Sequence, residues 1–187
     1  MAILHAQKYE LDSGMSVIIR SAVPDDAPAV LSIHRKVVEE NDYVITAQNE
    51  FNKTSESYHD LICKVADHPS ELFLAASVND TVVGWLILYT PSLERRSHLR
   101  EVGMMLTPAW RGQSIGKKLI AAILDWAGTC SAIEKICLEV FSSNENAIQL
   151  YRKLGFKEEG RRHKQIKLGM DHYADLILMY QMQPFEK

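Results

Sequence analysis

The sequence is short of the features that announce several common kinds of protein. It holds three cysteines in 187 residues, Cys63, Cys130 and Cys137. They are odd in number, far apart and without Cys-x-x-Cys spacing, which excludes a disulfide framework and offers no zinc pattern. The seven histidines are scattered, and none stands four residues from another, so no helix face offers a metal two imidazoles. Long apolar runs are missing as well. No stretch approaches the roughly 18 residues of a membrane helix, and MAILHAQKYELDSGM at the N-terminus has only Ile3-Leu4 as an apolar pair, too short for a signal-peptide core. Charge of one sign is not in excess either: 21 Lys and Arg against 24 Asp and Glu leave a net −3, which argues against affinity built on neutralising nucleic-acid phosphates. These absences predict a reduced, soluble, cytoplasmic protein with no metal, no membrane contact and no nucleic-acid partner.

What is there is the balance of an ordinary folded chain. A hydrophobic share of 47% and a charged share of 24% match the globular average, and the length fits one domain with a sizeable core. No repeat, low-complexity tract or Gly/Ser linker interrupts residues 16–183. The expected organisation is an N-terminal arm over residues 1–16 and a single domain over residues 17–187.

Periodicity supplies the elements. Residues 17–20 (VIIR) read as a short strand, and beyond Pro24-Asp25-Asp26 the residues Ala27, Val30, Leu31, His34 and Val38 recur at helical spacing up to Glu40. The polar stretch 41–54, with isolated aromatics, reads as a long irregular loop of the kind that often carries function. A second helix is expected from Ser55 to about Asp67, stopped by His68-Pro69. The period then changes: 72–78 and 82–89 flank Asn79-Asp80 as a β-hairpin, and 99–106 reads as a third strand. Ile115, Leu119, Ile123 and Trp126 share one face of a helix ending near Gly128. Strand 135–141, helix 144–154 and strands 156–168 and 173–182 complete the order β-α-α-β-β-β-α-β-α-β-β. Strands and helices do not alternate strictly. The expected class is therefore α/β in the α+β sense, a mixed and largely antiparallel twisted sheet flanked by helices, rather than a doubly wound parallel one.

The stretch LTPAWRGQSIGKKLIAAIL, residues 106–124, joins a strand end to an amphipathic helix through a loop of small residues. A helix N-terminus carries unsatisfied N–H donors and partial positive charge, and Gly112, Ser114 and Gly116 leave room for an anionic phosphate to approach them. Other phosphate motifs fail on the letters. The P-loop encloses four residues between glycines before Lys-Ser/Thr, whereas Gly112 and Gly116 enclose three and Lys117 is followed by Lys118. The dinucleotide fingerprint G-x-G-x-x-G is absent. By itself the loop also reads as a plain strand-to-helix turn.

Arg111-Gly112-Gln113-Ser114-Ile115-Gly116 resembles the pyrophosphate loop Q/R-x-x-G-x-G/A of the GNAT superfamily of N-acetyltransferases, with Ser114 where the first glycine is usual. LEVFSSNENAIQLYRKLGF, residues 138–156, is similar to that superfamily's other recurring segment, a strand leading through Asn to a helix with Tyr and then Leu-Gly-Phe. The resemblance spans roughly residues 17–182. It implies the acyl-CoA N-acyltransferase fold, acetyl-CoA as donor cosubstrate, and direct attack of an amine in a cleft where strands 99–106 and 135–141 splay apart. By the same resemblance, backbone groups of Met104, Met105 and Leu106 pair with the pantetheine arm. The loop Arg111, Gly112, Gln113, Ser114, Ile115, Gly116 and Lys117 holds the pyrophosphate, and Asn144 bonds the arm from the other side. Glu139 resembles the base of some ribosomal-protein acetyltransferases, with Glu101 on the neighbouring strand as the competing candidate. Tyr151, seven residues after Asn144 and so on the same helix face, stands as the general acid, although Ala147, Leu150, Tyr151 and Leu154 also form an apolar stripe.

An alkyl amine with pKa about 10.4 reaches its neutral form at pH 7 at a cost of about 4.6 kcal/mol, so a base or desolvation must help. Ser114 disfavours positive φ, which leaves either ordinary dihedrals there or a cofactor held less closely. The expected acceptor is a primary amine of a small molecule or a protein N-terminus. Tyr43 and Phe51 in the 41–54 loop are candidates to touch it, and Arg161-Arg162-His163-Lys164 reads as a solvated face or a border of the same cleft. A non-catalytic CoA-binding sensor or scaffold is the rival reading; the competent side chains at Glu139, Glu101 and Tyr151 favour the enzyme. The C-terminal hairpin is compatible with a homodimer.

Overall fold

The computed structural model describes residues 3–183; residues 1–2 of the expected arm and 184–187 of the expected domain lie outside them. In chain order the main elements are β1 (Gln7–Glu10), β2 (Ser16–Ser21), α1 (Ala27–Glu40), α2 (Ser55–Asp67), β3 (Leu72–Val78), β4 (Thr81–Tyr89), β5 (Leu99–Leu106), α3 (Ile115–Ala127), β6 (Lys135–Phe141), α4 (Glu145–Lys153), β7 (Lys157–Gly169) and β8 (His172–Met182). The strands form one sheet in the order β1-β2-β3-β4-β5-β6-β8-β7. Every neighbouring pair is antiparallel except β5 with β6, the mixed sheet that the element order predicts.

One strand lies where the sequence suggests only an arm. Gln7–Glu10 pairs with Ser16–Ile19, and the flanking Leu4 and Leu11 are buried in the main core. The boundary at residue 16 thus falls inside a β1–β2 hairpin, and the sheet begins ahead of it. This strand is polar and largely exposed, as edge strands commonly are, so it lacks the alternation that would reveal it.

Helices cover both faces of the sheet. All seven residues of β3 are buried, which marks a central strand covered on both sides. Its Leu72, Leu74, Ala76 and Val78 join α3 and α4 in one core, while Phe73 and Ala75 join α1 and α2 in the other. Local signals set the helix ends. Thr54 and Ser57 exchange capping bonds at the start of α2, and Asn41, in left-handed conformation, closes α1. Leu119, Ile120 and Ile123 of α3 are fully buried, each stabilising by about 1.5–3 kcal/mol, and they seat the helix against the sheet just behind its N-terminus.

Candidate active site

The parallel pair β5 and β6 holds register for three residues only, Leu99↔Lys135, Arg100↔Ile136 and Glu101↔Cys137. Beyond that point the strands part, although β5 continues to Leu106 and β6 to Phe141. Each stays laddered on its outer side, β5 to β4 and β6 to β8. The result is a gap closed at Glu101–Cys137 and open toward α3.

Strand alternation decides which backbone groups face the gap. Thr107 N–H donates to the Val83 carbonyl at 2.9 Å, which places Met105 in hydrogen-bonded register with Trp85 of β4. Met104 and Leu106, one residue to either side, turn their N–H and C=O groups toward the gap. The Leu106 carbonyl accepts from Arg111 Nε at 3.3 Å and Nη2 at 3.2 Å. Of the three residues expected to offer backbone to the arm, Met104 and Leu106 face the gap and Met105 is committed to the ladder.

The open end of the gap runs into the loop before α3. Gly112 has φ +75°, a conformation natural to glycine. Ser114, the N-cap of α3, sits at φ 63°, ψ 6° and makes no side-chain capping bond. Ser114 therefore does not have the ordinary dihedrals that were one of its two expected readings; the serine itself adopts the left-handed conformation. The first intrahelical bond is Lys118 N–H to the Ser114 carbonyl at 3.1 Å, so the amides of Ile115, Gly116 and Lys117 lack helical partners and face outward with the helix dipole behind them. At Gly116 a Cβ would stand 3.3 Å from Met104 Cε and 3.5 Å from Leu150 Cδ2, which shows how closely α3 approaches both β5 and α4. Gln113 Nε2 donates to the Ala109 carbonyl at 3.3 Å. Arg111 also forms a bidentate pair with Glu40 at the end of α1, 2.6 and 3.3 Å, and so ties the loop to the start of the 41–54 segment. Because a left-handed L residue costs about 1–2 kcal/mol and glycine gives back about 0.5–1 in chain entropy, Ser114→Gly is expected to stabilise the fold by up to about 1 kcal/mol. Thermal denaturation reads this directly, and a lowered Tm would contradict it.

Asn144 caps α4, its Oδ1 accepting from Ala147 N–H at 3.2 Å, which leaves its amide nitrogen for other use. Tyr151 is 8% exposed and belongs to the core that contains Leu138 and Met104 at its edge, with its ring centroid 5.8 Å from that of Phe156. Its hydroxyl makes no hydrogen bond among the described residues, and burial pushes its pKa up to about 12.

On the opposite face of β5 and β6, two carboxylates flank the closed end. Glu101 Oε1 accepts from Arg96 Nη2 at 2.7 Å and its Oε2 from the Tyr89 hydroxyl at 2.9 Å. Glu139 Oε1 accepts from Arg162 Nη1 at 2.7 Å. Glu101 is the less exposed of the two, 31% against 41%. Cys137 lies between them on β6, its thiol pKa raised chiefly by burial. Tyr43 from the 41–54 segment packs edge-on to Phe141, 6.2 Å between centroids, and Phe51 lies edge-on to His34 at 4.9 Å. Tyr89 and Arg96 gave no signal in the sequence, because only the register Tyr89↔Glu101 and the preceding turn bring them to the carboxylate. Among the described residues no group of three His, Cys, Asp or Glu could hold a metal, and no helix is long and apolar enough to cross a membrane.

The site is thus a parted parallel strand pair that leads into an uncapped helix N-terminus, with carboxylates at its closed end. The chain belongs to the Acetyltransferase (GNAT) family, whose model matches residues 38–156. The L-amino acid N-acetyltransferase AaaT of Escherichia coli (strain K12) is 28% identical over 163 residues, 87% of this chain and 96% of that one. An N-alpha-acetyltransferase of Saccharolobus solfataricus is 27% identical over 176 residues, 89% of this chain and 91% of that one. Among solved structures, yncA of Salmonella typhimurium, a putative acetyltransferase with its cofactor acetyl-CoA, matches with a TM-score of 0.82 at 19% identity, over 91% of this chain and 96% of that one, and so shares the fold. The enzyme is an acetyl-CoA-dependent N-acetyltransferase.

Proposed function

We propose that the protein acetylates the primary amine of a small molecule, an amino acid foremost, or of a protein N-terminus, by direct attack of that amine. The observation that carries this reading is the gap between β5 and β6. From Glu101, where it closes, to Leu106 it runs about 17 Å at roughly 3.3–3.4 Å per residue, a span suited to an extended pantetheine arm, with anion-binding amides at one end and carboxylates at the other. When bound, acetyl-CoA supplies the thioester from which the acetyl group is taken. The outward amides of Ile115 to Lys117, with the loop from Arg111 to Ser114, suit a pyrophosphate. Met104 and Leu106 offer backbone groups to the arm from one side and the Asn144 amide nitrogen from the other.

Glu101, at the closed end, is the carboxylate we assign to proton removal from the acceptor, directly or through water. Glu139 lies one pleat nearer the open end and is placed to orient the incoming amine. Tyr151 serves as a hydrogen-bond donor to the leaving sulfur. A phenol at about 12 facing a thiol near 8.5 makes complete proton transfer uphill by about 5 kcal/mol, so donation rather than transfer is the role its burial allows. Tyr151→Phe is expected to lower kcat about ten- to a hundredfold, the range of one hydrogen bond to a charged group, with CoA affinity unchanged; an unaltered kcat removes Tyr151 from the reaction.

The reading itself is tested by thiol release from acetyl-CoA across a panel of amino acids, amines and peptides, with thermal stabilisation by CoA followed in parallel. Stabilisation together with release on one class of amine is expected. Stabilisation without release on any acceptor would favour a CoA-binding sensor, and no stabilisation would overturn both.

A further inference from the structure

We propose that Tyr89 is a positioning residue that fixes the orientation of Glu101. The inference rests on Glu101 being the proton acceptor, as proposed above. Tyr89 stands directly opposite Glu101 in the β4–β5 ladder, so the sheet itself sets the separation at which its hydroxyl donates to Oε2, 2.9 Å. Arg96 holds the other oxygen at 2.7 Å, but from a short 3-10 turn, with its side chain 48% exposed. With both oxygens held, the carboxylate plane is fixed beside the closed end of the gap. The hydroxyl is a constant donor, because burial, followed by the bond to Glu101 and the charges of Glu101 and Glu139, pushes its pKa up to about 12.

The charged and titratable groups around Glu101 come from four elements. They are Tyr89 on β4, Arg96 on the turn before β5, Cys137 and Glu139 on β6, and Arg162 of β7 through its pair with Glu139. Among the described residues only Tyr89 and Arg96 bond to Glu101, and of these two Tyr89 can be removed without changing the net charge of the cluster. Losing the Tyr89 bond leaves Oε2 without its donor and the carboxylate held by Arg96 alone, from an exposed turn, so its plane is no longer fixed.

The test compares wild type with Tyr89→Phe, which keeps the ring, in kcat and in KM for each substrate, using the best amine of the acceptor panel. The kcat is expected to fall about three- to tenfold as orientation is lost, the range of one hydrogen bond. The KM for acetyl-CoA should stay unchanged. The same substitution is then made in a Glu101→Gln background, where it should have no further effect, because residues acting through one another are non-additive. An unchanged kcat in Tyr89→Phe, or an equal loss in both backgrounds, overturns the proposal. Full activity in Glu101→Gln alone overturns instead the assignment of Glu101 as base.

Discussion

Glu101→Gln is expected to lower kcat/KM at pH 7 by about 10²–10⁴-fold, the range associated with a positioned general base. The substitution keeps the shape of the side chain and leaves an oxygen for the Tyr89 hydroxyl. Its pair with Arg96 is half exposed, and exposed pairs contribute only about 0–1 kcal/mol, so Tm and CoA affinity should barely move. The defect should shrink as pH rises past the pKa of the acceptor amine, about 7.7–8.0 for a peptide N-terminus and near 10.4 for an alkyl amine, because an acceptor that arrives neutral has no proton to surrender before attack. Glu139→Gln, removing a more exposed carboxylate farther from the closed end, is expected to cost less than about tenfold. Kinetics of both variants between pH 6 and 10 provide the measurement, and the reverse ranking would move the base to Glu139.

That ranking was out of reach of the letters. Glu101 and Glu139 are both strand carboxylates in similar apolar surroundings, and what separates them is where β5 and β6 cease to pair, a tertiary property with no local signature. Features coded within a few residues were legible: the stop of α2 at His68-Pro69, the Asn79-Asp80 turn, and Gly112 with Ser114 ahead of an amphipathic helix. Features that depend on register were not. Met105 looked equivalent to Met104 and Leu106 until the bond from Thr107 to Val83 fixed which residues turn toward β4. Arg162 read as part of a basic run, and only the pairing of β7 with β8 and of β8 with β6 carries it to Glu139. The edge strand β1 was hidden for a different reason, since its contribution to the core comes from Leu4 and Leu11 on either side of a polar strand.

The largest loss of stability is expected from Arg100→Met, about 3–5 kcal/mol from several buried acceptors left without a donor, against a total of about 5–15 kcal/mol for a typical domain. Arg100 is 2% exposed and, among the described residues, has no carboxylate within ion-pair distance. Its guanidinium instead binds the chain: Nε donates to the Ser70 carbonyl at 2.7 Å, Nη1 to the carbonyls of Ser97 and Leu99 at 2.7 and 2.8 Å, and Nη2 to the Ser70 hydroxyl. One side chain thus ties the turn before β3 to the segment that feeds β5. Methionine matches its length and apolar stem but leaves these buried acceptors without donors, and each such group costs about 1–3 kcal/mol. Lysine restores the charge but not the planar fork, so Arg100→Lys should recover only part of the loss. Urea denaturation reads the effect as a lowered midpoint at unchanged slope, and a change below about 1 kcal/mol would show that the carbonyls find other partners. The site should feel the substitution as well. Arg100 and Glu101 are adjacent on β5 and point to opposite faces, so the residue that clamps the strand from behind also sets where the carboxylate stands in front. Well below its Tm, Arg100→Met should therefore lower kcat while leaving the affinity for CoA, held at the far end of the gap, close to that of wild type.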